Sequence, residues 1–207
     1  MKNENKHHWY DGFFYDKVIA PNQDKSFRLV KKMIEKDCTV VDAGCGTGRL
    51  GFQLADHCSE YVGVDLSVKN ISTAKKKLGK ANKNNLKFMH NDILNYLDDE
   101  SPNFNYAILS YVIHEIDPGL RENILTKLSE AAEKIIIIDY LHPKPNNISG
   151  KAITVIEFLA GRDHYKNFKS FMKNEGLSGL AKSTGMEVTK EIRKKTTGTH
   201  IAVMKKG

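Results

Sequence analysis

A glycine-rich turn after a short apolar run constrains this chain more than any other feature. The run is Thr39-Val40-Val41, the acid Asp42 follows it, and glycines stand at positions 44, 46 and 48. β-branched runs of this kind are typical of buried parallel strands. Glycines let the backbone turn sharply and leave no side chain between it and a ligand. Because residues 49–55 can begin a helix, the pattern predicts the strand–loop–helix unit at which open α/β sheets bind nucleotide-like ligands.

The spacing excludes two kinds of nucleotide site. A P-loop needs Gly-x-x-x-x-Gly-Lys-Ser/Thr, but Arg49-Leu50 follows Gly48. The dinucleotide fingerprint Gly-x-Gly-x-x-Gly needs a glycine where Arg49 stands. What remains is Asp-x-Gly-x-Gly-x-Gly, and the carboxylate of Asp42 suits a ligand with a cationic end better than a pyrophosphate.

Residues 42–48 closely resemble motif I of the class I S-adenosylmethionine-dependent methyltransferases, and residues 63–67 match motif II of that family. The resemblance implies a Rossmann-like, doubly wound α/β fold with helices on both faces. Its seven-stranded sheet would have the order 3-2-1-4-5-7-6, with strand 7 antiparallel. The implied cofactor is S-adenosyl-L-methionine, with S-adenosyl-L-homocysteine as product, and we expect one methyltransferase domain over residues 1–207.

The predicted cofactor residues, apart from Tyr15 of the N-terminal arm, lie where the first four strands end. Asp65 stands 17 positions after Gly48, a distance at which an acid reaches a ribose diol. By resemblance, Asp92 accepts from the adenine amino group and Ile93 supplies a backbone amide, although Asp92 can equally cap the helix that follows. The full predicted set is Tyr15, Asp42, Gly44, Cys45, Gly46, Asp65, Leu66, Asn91, Asp92, Ile93, Ser110 and Tyr111.

The segment after the fourth strand, residues 110–115, bears on the acceptor. It lacks the Asp/Asn-Pro-Pro-Tyr/Phe of enzymes that methylate base nitrogens or glutamine amides, and the cysteine–proline pair of pyrimidine C5 enzymes. It resembles instead the leucine-histidine loop of small-molecule methyltransferases. A hydroxyl acceptor would need a base, for which the candidates are His114, His164 and Tyr111, in that order. A structural histidine at position 114, and a surface position for His164, are the alternatives.

Two flanking segments are predicted to surround the acceptor. Residues 1–22 form an aromatic arm that acts either as a lid over the cofactor or as a helix docked on the sheet edge. Residues 142–184 form a helical insertion that, by resemblance, builds the substrate wall. The predicted pocket residues are Trp9, Tyr10, Phe14, Tyr165 and Phe168.

The composition of this 207-residue chain limits the kinds of partner that we expect it to have. No apolar stretch approaches the roughly 20 residues that span a membrane, and we expect no signal peptide. Three cysteines without a CxxC pair favour a cytoplasmic location and argue against a metal site or disulfides. The net charge of +7 arises from lysine runs without interleaved aromatic residues, which makes nucleic acid an unfavoured partner.

The sequence therefore predicts a methyltransferase that acts on a small molecule as a monomer or homodimer. An RNA methyltransferase, suggested by the charge, is one alternative. A non-catalytic S-adenosylmethionine-binding sensor or partner protein is the other.

Overall fold

The computed structural model of the protein describes residues 20–100 and 103–207, in which helices and strands alternate along the chain. The strands are β1 (Cys38–Ala43), β2 (Cys58–Asp65), β3 (Leu86–His90), β4 (Phe104–Ser110), β5 (Ala132–Tyr140), β6 (Met186–Lys194) and β7 (Thr199–Lys206). The helices are α1 (Ala20–Lys31), α2 (Arg49–Leu54), α3 (Val68–Ala81), α4 (Ile93–Glu100), α5 (Pro118–Ala131), α6 (Ile148–Leu159), α7 (Arg162–Lys173) and α8 (Gly176–Thr184).

The strands form one sheet in the order β3-β2-β1-β4-β5-β7-β6, which confirms the predicted order. Strands β1 to β5 pair in parallel. Strand β7 runs antiparallel to both of its neighbours, as predicted. Because β1 to β5 point the same way, the residues at their carboxyl ends meet at one edge of the sheet.

Both faces of the sheet are covered by helices, which explains why the central residues of β5, 135–138, are all isoleucine. Ile135 and Ile137 pack into a core with α4, α5 and α8. Ile136 and Ile138 pack into a second core with α1, α2 and α3. Side chains alternate between the two faces of a strand, so a strand covered on both sides needs an unbroken apolar run.

Local signals set where two of the helices begin. Ser67 caps α3 by accepting a hydrogen bond from the backbone N–H of Asn70 at 3.3 Å. Asp117 caps α5, and Pro118 takes the first helical position, where its missing N–H costs nothing. Over the described ranges, no helix is both long enough and apolar enough to span a membrane.

We expect Leu128→Ala to destabilise the protein far more than Leu120→Ala, although both residues lie on α5. Leu128 is fully buried, whereas Leu120 is 48 % exposed. Emptying a buried leucine site typically lowers the free energy of unfolding by about 2–5 kcal/mol, and an exposed change alters it by about 0.5 kcal/mol. Urea unfolding of the two variants measures the difference, and equal losses would contradict this packing.

Candidate active site

The loop between β1 and α2 is held in a conformation that glycine favours. Gly44, Gly46 and Gly48 have φ values of +80°, +55° and +76°. A Cβ on Gly44 would lie 2.5 Å from a methyl group of Val112, so this glycine also permits close packing. A Cβ on Gly46 would meet no atom within 4 Å. The loop therefore presents bare backbone to open space at Gly46.

Asp42 ends β1 beneath this loop and is only 1 % exposed. Its Oδ2 accepts a short hydrogen bond from the Tyr61 hydroxyl, and its buried Oδ1 has no hydrogen-bond partner among the described residues. Burial raises the pKa of Asp42 to about 7, against the opposing effect of the Tyr61 hydrogen bond. A buried carboxylate oxygen without a partner fits a donor or cation that arrives with a ligand.

Asp65 ends the neighbouring strand β2 and is joined to the glycine loop. Its Oδ2 accepts the backbone N–H of Gly46 at 2.8 Å, and its Oδ1 accepts that of Ser67 at 2.8 Å. These bonds fix the direction of the carboxylate beside the open space at Gly46. Cys45 lies in the same loop, 8 % exposed, and burial raises the pKa of its thiol. Leu66 follows Asp65 and is 55 % exposed.

The residues after β3 lie at the same edge. The N–H of Asn91 donates to the carbonyl of Asp65 at 3.3 Å. Asp92 accepts the N–H of Leu94 at 2.8 Å, so it does cap α4, as one sequence interpretation expected. Ile93 is half-buried against the core. The cap uses one oxygen of Asp92, Oδ1, so an adenine contact by this residue stays a prediction.

Tyr111 follows Ser110 of β4 with a φ of +57°, a left-handed conformation that costs a bulky residue of order 1 kcal/mol or more. Its N–H donates to the carbonyl of Ile138 at 2.7 Å. Its hydroxyl lies 3.3 Å from the hydroxyls of both Ser26 and Thr199. The phenol thus links α1 to β7, and the strained backbone turns the following loop, residues 112–117, across the sheet edge.

His114 lies in that loop with 1 % exposure. Its Nδ1 is 2.8 Å from Oδ1 of Asp139, and its Nε2 is 3.5 Å from Oε2 of Glu157. Burial alone would lower the pKa of His114, but these two carboxylates outweigh it and hold the pKa well above its usual value. The two carboxylates therefore favour the imidazolium form of this side chain.

Glu157 of α6 is the farther of these partners and is 3 % exposed. The Tyr140 hydroxyl donates to its Oε1 at 2.8 Å. Burial would raise the pKa of Glu157, but the neighbouring His114 and the hydrogen bond from Tyr140 lower it overall. Through His114 and Tyr140, the helix α6 is tied to the loop after β4 and to the end of β5.

The guanidinium of Arg121, 3 % exposed, fixes the same loop from α5. It donates to the carbonyls of His114, Ile116 and Asn167 at 3.1, 3.0 and 2.8 Å. Asn167 belongs to α7 and also donates to the carbonyl of Glu115 at 2.8 Å. Two of the three helices in the predicted substrate-side insertion, α6 and α7, therefore contact the loop.

Glu115 brings the two histidine candidates together. One carboxylate oxygen is 3.7 Å from Nε2 of His114, and the other is 3.8 Å from Nδ1 of His164 on α7. The Glu115 side chain is 35 % exposed and that of His164 is 19 % exposed. Although 50 positions separate them in the sequence, the two histidines border one carboxylate.

The aromatic wall continues along α7. Phe168, 3 % exposed, packs edge-on against Tyr140 with ring centroids 5.5 Å apart. The Tyr165 ring stacks on Phe168 at 6.4 Å. The other predicted aromatic residues, Trp9, Tyr10, Phe14 and Tyr15, lie outside the described residues.

Sequence reasoning missed three carboxylates of this cluster: Glu115, Asp139 and Glu157. Asp139 offered a signal, because it is an acid at the end of an apolar strand, as Asp42 and Asp65 are. Glu157 is the only acid in α6, on an otherwise apolar helix face. Within the described ranges, no three His, Cys, Asp or Glu side chains are grouped so that they could hold a metal ion.

Known proteins resemble the chain in sequence. A family described as "Methyltransferase domain" matches residues 34–176. Ribosomal protein L11 methyltransferases of two Clostridium botulinum strains are 24 % identical over 125 residues, which is 60 % of this chain. The chain matches only 38 % of the length of these curated relatives.

Solved structures share the fold. Magnesium protoporphyrin IX methyltransferase of Synechocystis, crystallised with SAH, is 18 % identical with a TM-score of 0.65, covering 95 % of this chain and 89 % of its own. A Pyrococcus horikoshii protein, also 18 % identical, reaches 0.70 over 96 % and 98 % of the two chains. At these identities the likeness establishes the fold.

We expect Asp42→Asn to stabilise the protein at pH 8 and to have little effect near pH 4. The Asp42 pKa of about 7 lies above the unfolded value of 3.8. The folded state therefore binds a proton more tightly, and the stability that this proton provides is lost as the pH rises from about 4 to about 7. A shift of about three pKa units changes the free energy of unfolding by at most about 4 kcal/mol.

Urea unfolding of the ligand-free protein between pH 4 and pH 8 measures this difference. Asp99→Asn, a change of an exposed carboxylate on α4, is the matched control. If the difference in the free energy of unfolding between Asp42→Asn and the natural protein stays constant over this pH range, Asp42 does not titrate in a buried position.

Proposed function

This chain belongs to the methyltransferase domain family, and we propose that it is an S-adenosylmethionine-dependent methyltransferase that transfers the methyl group to a small-molecule acceptor. The observation that carries the proposal is the sheet edge itself. Bare backbone at Gly46 and a buried carboxylate oxygen on Asp42 stand at one end of it. A wall of rings and carboxylates on α6 and α7 stands at the other.

The residues at the first end fit the cofactor. The orphaned Oδ1 of Asp42 can accept from the amino group of the methionine portion, and the open space at Gly46 accommodates it. The fixed carboxylate of Asp65 suits the ribose hydroxyls, and Asn91 and Asp92 stand beside it for the base. Ser110 and Tyr111 close the methionine side at the end of β4.

The bound cofactor supplies a methyl group that is already activated by a sulfonium. The protein therefore has to position an acceptor and exclude water, and these two effects can supply most of the acceleration. Arg121 and Asn167 hold the loop that carries His114 and Glu115 in one place. Tyr165 and Phe168 line the side from which an acceptor approaches.

Local sequence supports a small acceptor. Residues 110–115 lack the motifs of enzymes that methylate base nitrogens, glutamine amides or pyrimidine carbons. The rings of α6 and α7 pack against each other and leave a compact apolar wall: Phe158 lies edge-on to Tyr165 at 5.5 Å. A second candidate, a protein acceptor, follows from the similarity to ribosomal protein L11 methyltransferases.

The test uses S-adenosylmethionine with a radiolabelled methyl group and a cell extract separated into small molecules, RNA and protein. The proposal predicts that label enters the small-molecule fraction. Label in RNA, with transfer that falls steeply as salt rises, would favour the RNA methyltransferase. Label in protein would favour the second candidate, and binding of the cofactor without transfer to any fraction would favour a sensor or partner protein.

We expect Gly46→Ala to abolish cofactor binding while the fold survives. The new Cβ would meet no protein atom within 4 Å, but it would stand in the open space above the loop. The positive φ adds a cost of roughly 1–2 kcal/mol. Gly79→Ala, an exposed change on α3 that also meets no atom, is the control.

Thermal unfolding with S-adenosylmethionine, S-adenosylhomocysteine, NAD and ATP provides the measurement. A ligand at 100 times its Kd adds about 2.7 kcal/mol to the free energy of unfolding. The natural protein and Gly79→Ala should be stabilised by the two sulfur nucleotides only. Stabilisation of Gly46→Ala to the same extent would show that this loop does not cradle the cofactor.

We expect His114→Ala to keep cofactor binding and to lose more than about tenfold in turnover. Removing the imidazole takes away the group that lies between the buried carboxylates of Asp139 and Glu157, which disturbs the loop and the wall. Calorimetry gives the cofactor affinity, and the acceptor found in the transfer assay gives kcat. If kcat is unchanged in His114→Ala, His114 has no role in the active site.

A further inference from the structure

Glu115 is the accessible member of the buried charge cluster. Its side chain is 35 % exposed, whereas His114 and Asp139 are 1 % and 0 % exposed and Glu157 is 3 % exposed. It lies in the loop after β4, between the cofactor end and the acceptor wall. An acceptor held against α6 and α7 would therefore meet the carboxylate of Glu115 before any other member of the cluster.

The three side chains that the sequence suggested as bases either contact other protein groups or are less exposed than Glu115. His114 is buried, and its two ring nitrogens lie 2.8 Å from Asp139 and 3.5 Å from Glu157, so the ring faces these carboxylates rather than an acceptor. The Tyr111 hydroxyl lies between Ser26 and Thr199. His164, 19 % exposed, has its Nδ1 directed at Glu115 itself.

The titratable groups that act on Glu115 come from four other elements and from its own loop, and the Arg121 guanidinium of α5 donates to the carbonyls on either side of it. In the described part of the chain these titratable groups are Asp65 of β2, His114 of its own loop, Asp139 of β5, Glu157 of α6 and His164 of α7. Partial burial is the main cause that raises the pKa of Glu115, and His114 opposes it. The carboxylates of Glu157, Asp139 and Asp65 raise the pKa further, to about 8. A carboxylate with a raised pKa is a stronger base than an ordinary glutamate, and it becomes available as the pH rises through about 8.

We propose that Glu115 is the catalytic residue that removes the proton from the methyl acceptor, and that the acceptor is a hydroxyl compound. The inference rests on the proposed function and deepens it. A hydroxyl must lose its proton to become an effective nucleophile, and a carboxylate at this place receives it.

Methyl transfer and proton removal involve three heavy atoms of the reactants and one carboxylate of the protein. A lone pair of the acceptor oxygen forms the new bond to the methyl carbon, and the acceptor proton moves to the Glu115 carboxylate. The electron pair of the broken carbon–sulfur bond stays on sulfur, which becomes a neutral thioether. Glu115 then releases its proton to water through its exposed side. His114 and Arg121 act only as positioning residues, because they hold the loop.

The first test needs no acceptor. Carbon-13 NMR of protein labelled at the glutamate carboxyl carbon follows each titration, and the Glu115 signal is the one missing from Glu115→Gln. We expect its midpoint near pH 8. A midpoint near the ordinary glutamate value of about 4.3 would overturn the proposal.

The second test compares the affinities of S-adenosylmethionine and S-adenosylhomocysteine by calorimetry between pH 6 and pH 9. A sulfonium near the carboxylate lowers its pKa by about one unit or more. By linkage, the preference for the charged ligand should rise about tenfold with pH in the natural protein and stay flat in Glu115→Gln. Glu122→Gln, an exposed change on α5, should behave like the natural protein.

The third test uses the acceptor identified by transfer. Glu115→Gln should lower kcat by about 10²-fold or more, with the cofactor affinity at pH 6 unchanged. The rise of kcat with pH through about 8 should disappear, and Glu115→Asp should recover part of the activity. Unchanged kcat in Glu115→Gln, or an acceptor without a hydroxyl, would overturn the proposal.

Failure of this inference is distinguishable from failure of the proposed function. Protein that binds neither sulfur nucleotide contradicts the function itself. Protein that binds both, with the same pH dependence in Glu115→Gln as in the natural chain, contradicts only the role of Glu115.

Discussion

The buried imidazolium of His114 holds together the parts on which the candidate site depends. Its nitrogens face Asp139 at the end of β5 and Glu157 on α6, and its backbone carries the loop after β4. Removing one partner of such a buried pair typically costs about 3–5 kcal/mol, because the remaining charge is left uncompensated. Loop, strand and wall helix therefore keep one relative arrangement, and that arrangement places Glu115 where an acceptor can reach it.

For the choice of ligand, the positions of the charged groups matter more than the net charge of the chain. The chain carries a net charge of +7, yet its candidate site is acidic. Asp42, Asp65 and Asp139 end parallel strands and so reach one edge of the sheet, where Glu115 and Glu157 join them. A sheet edge that gathers these carboxyl groups suits a sulfonium-bearing cofactor, whereas the net charge alone suggested nucleic acid.

Much of the fold could be predicted because its signals are local. Each of these signals depends only on residues that are close together in the sequence. They are the glycines at 44, 46 and 48, the acid that ends β2 and the four isoleucines of β5. Asp92 shows the limit of such signals, since an acid before a helix suits both a cap and a ligand, and the structure shows the cap. Glu157 could not be assigned a partner, because its helix gives no indication of which distant residue it faces.

By itself, the sequence determined the strand–turn–helix unit, the sheet order by resemblance and the family, because backbone geometry and apolar periodicity are properties of contiguous residues. Only the tertiary structure decided the charge states of the site. It brought Glu115, Asp139 and Glu157 around His114 and left Glu115 as the accessible carboxylate. Burial and distance between residues far apart in the chain set a pKa, and neither is written in the order of the amino acids.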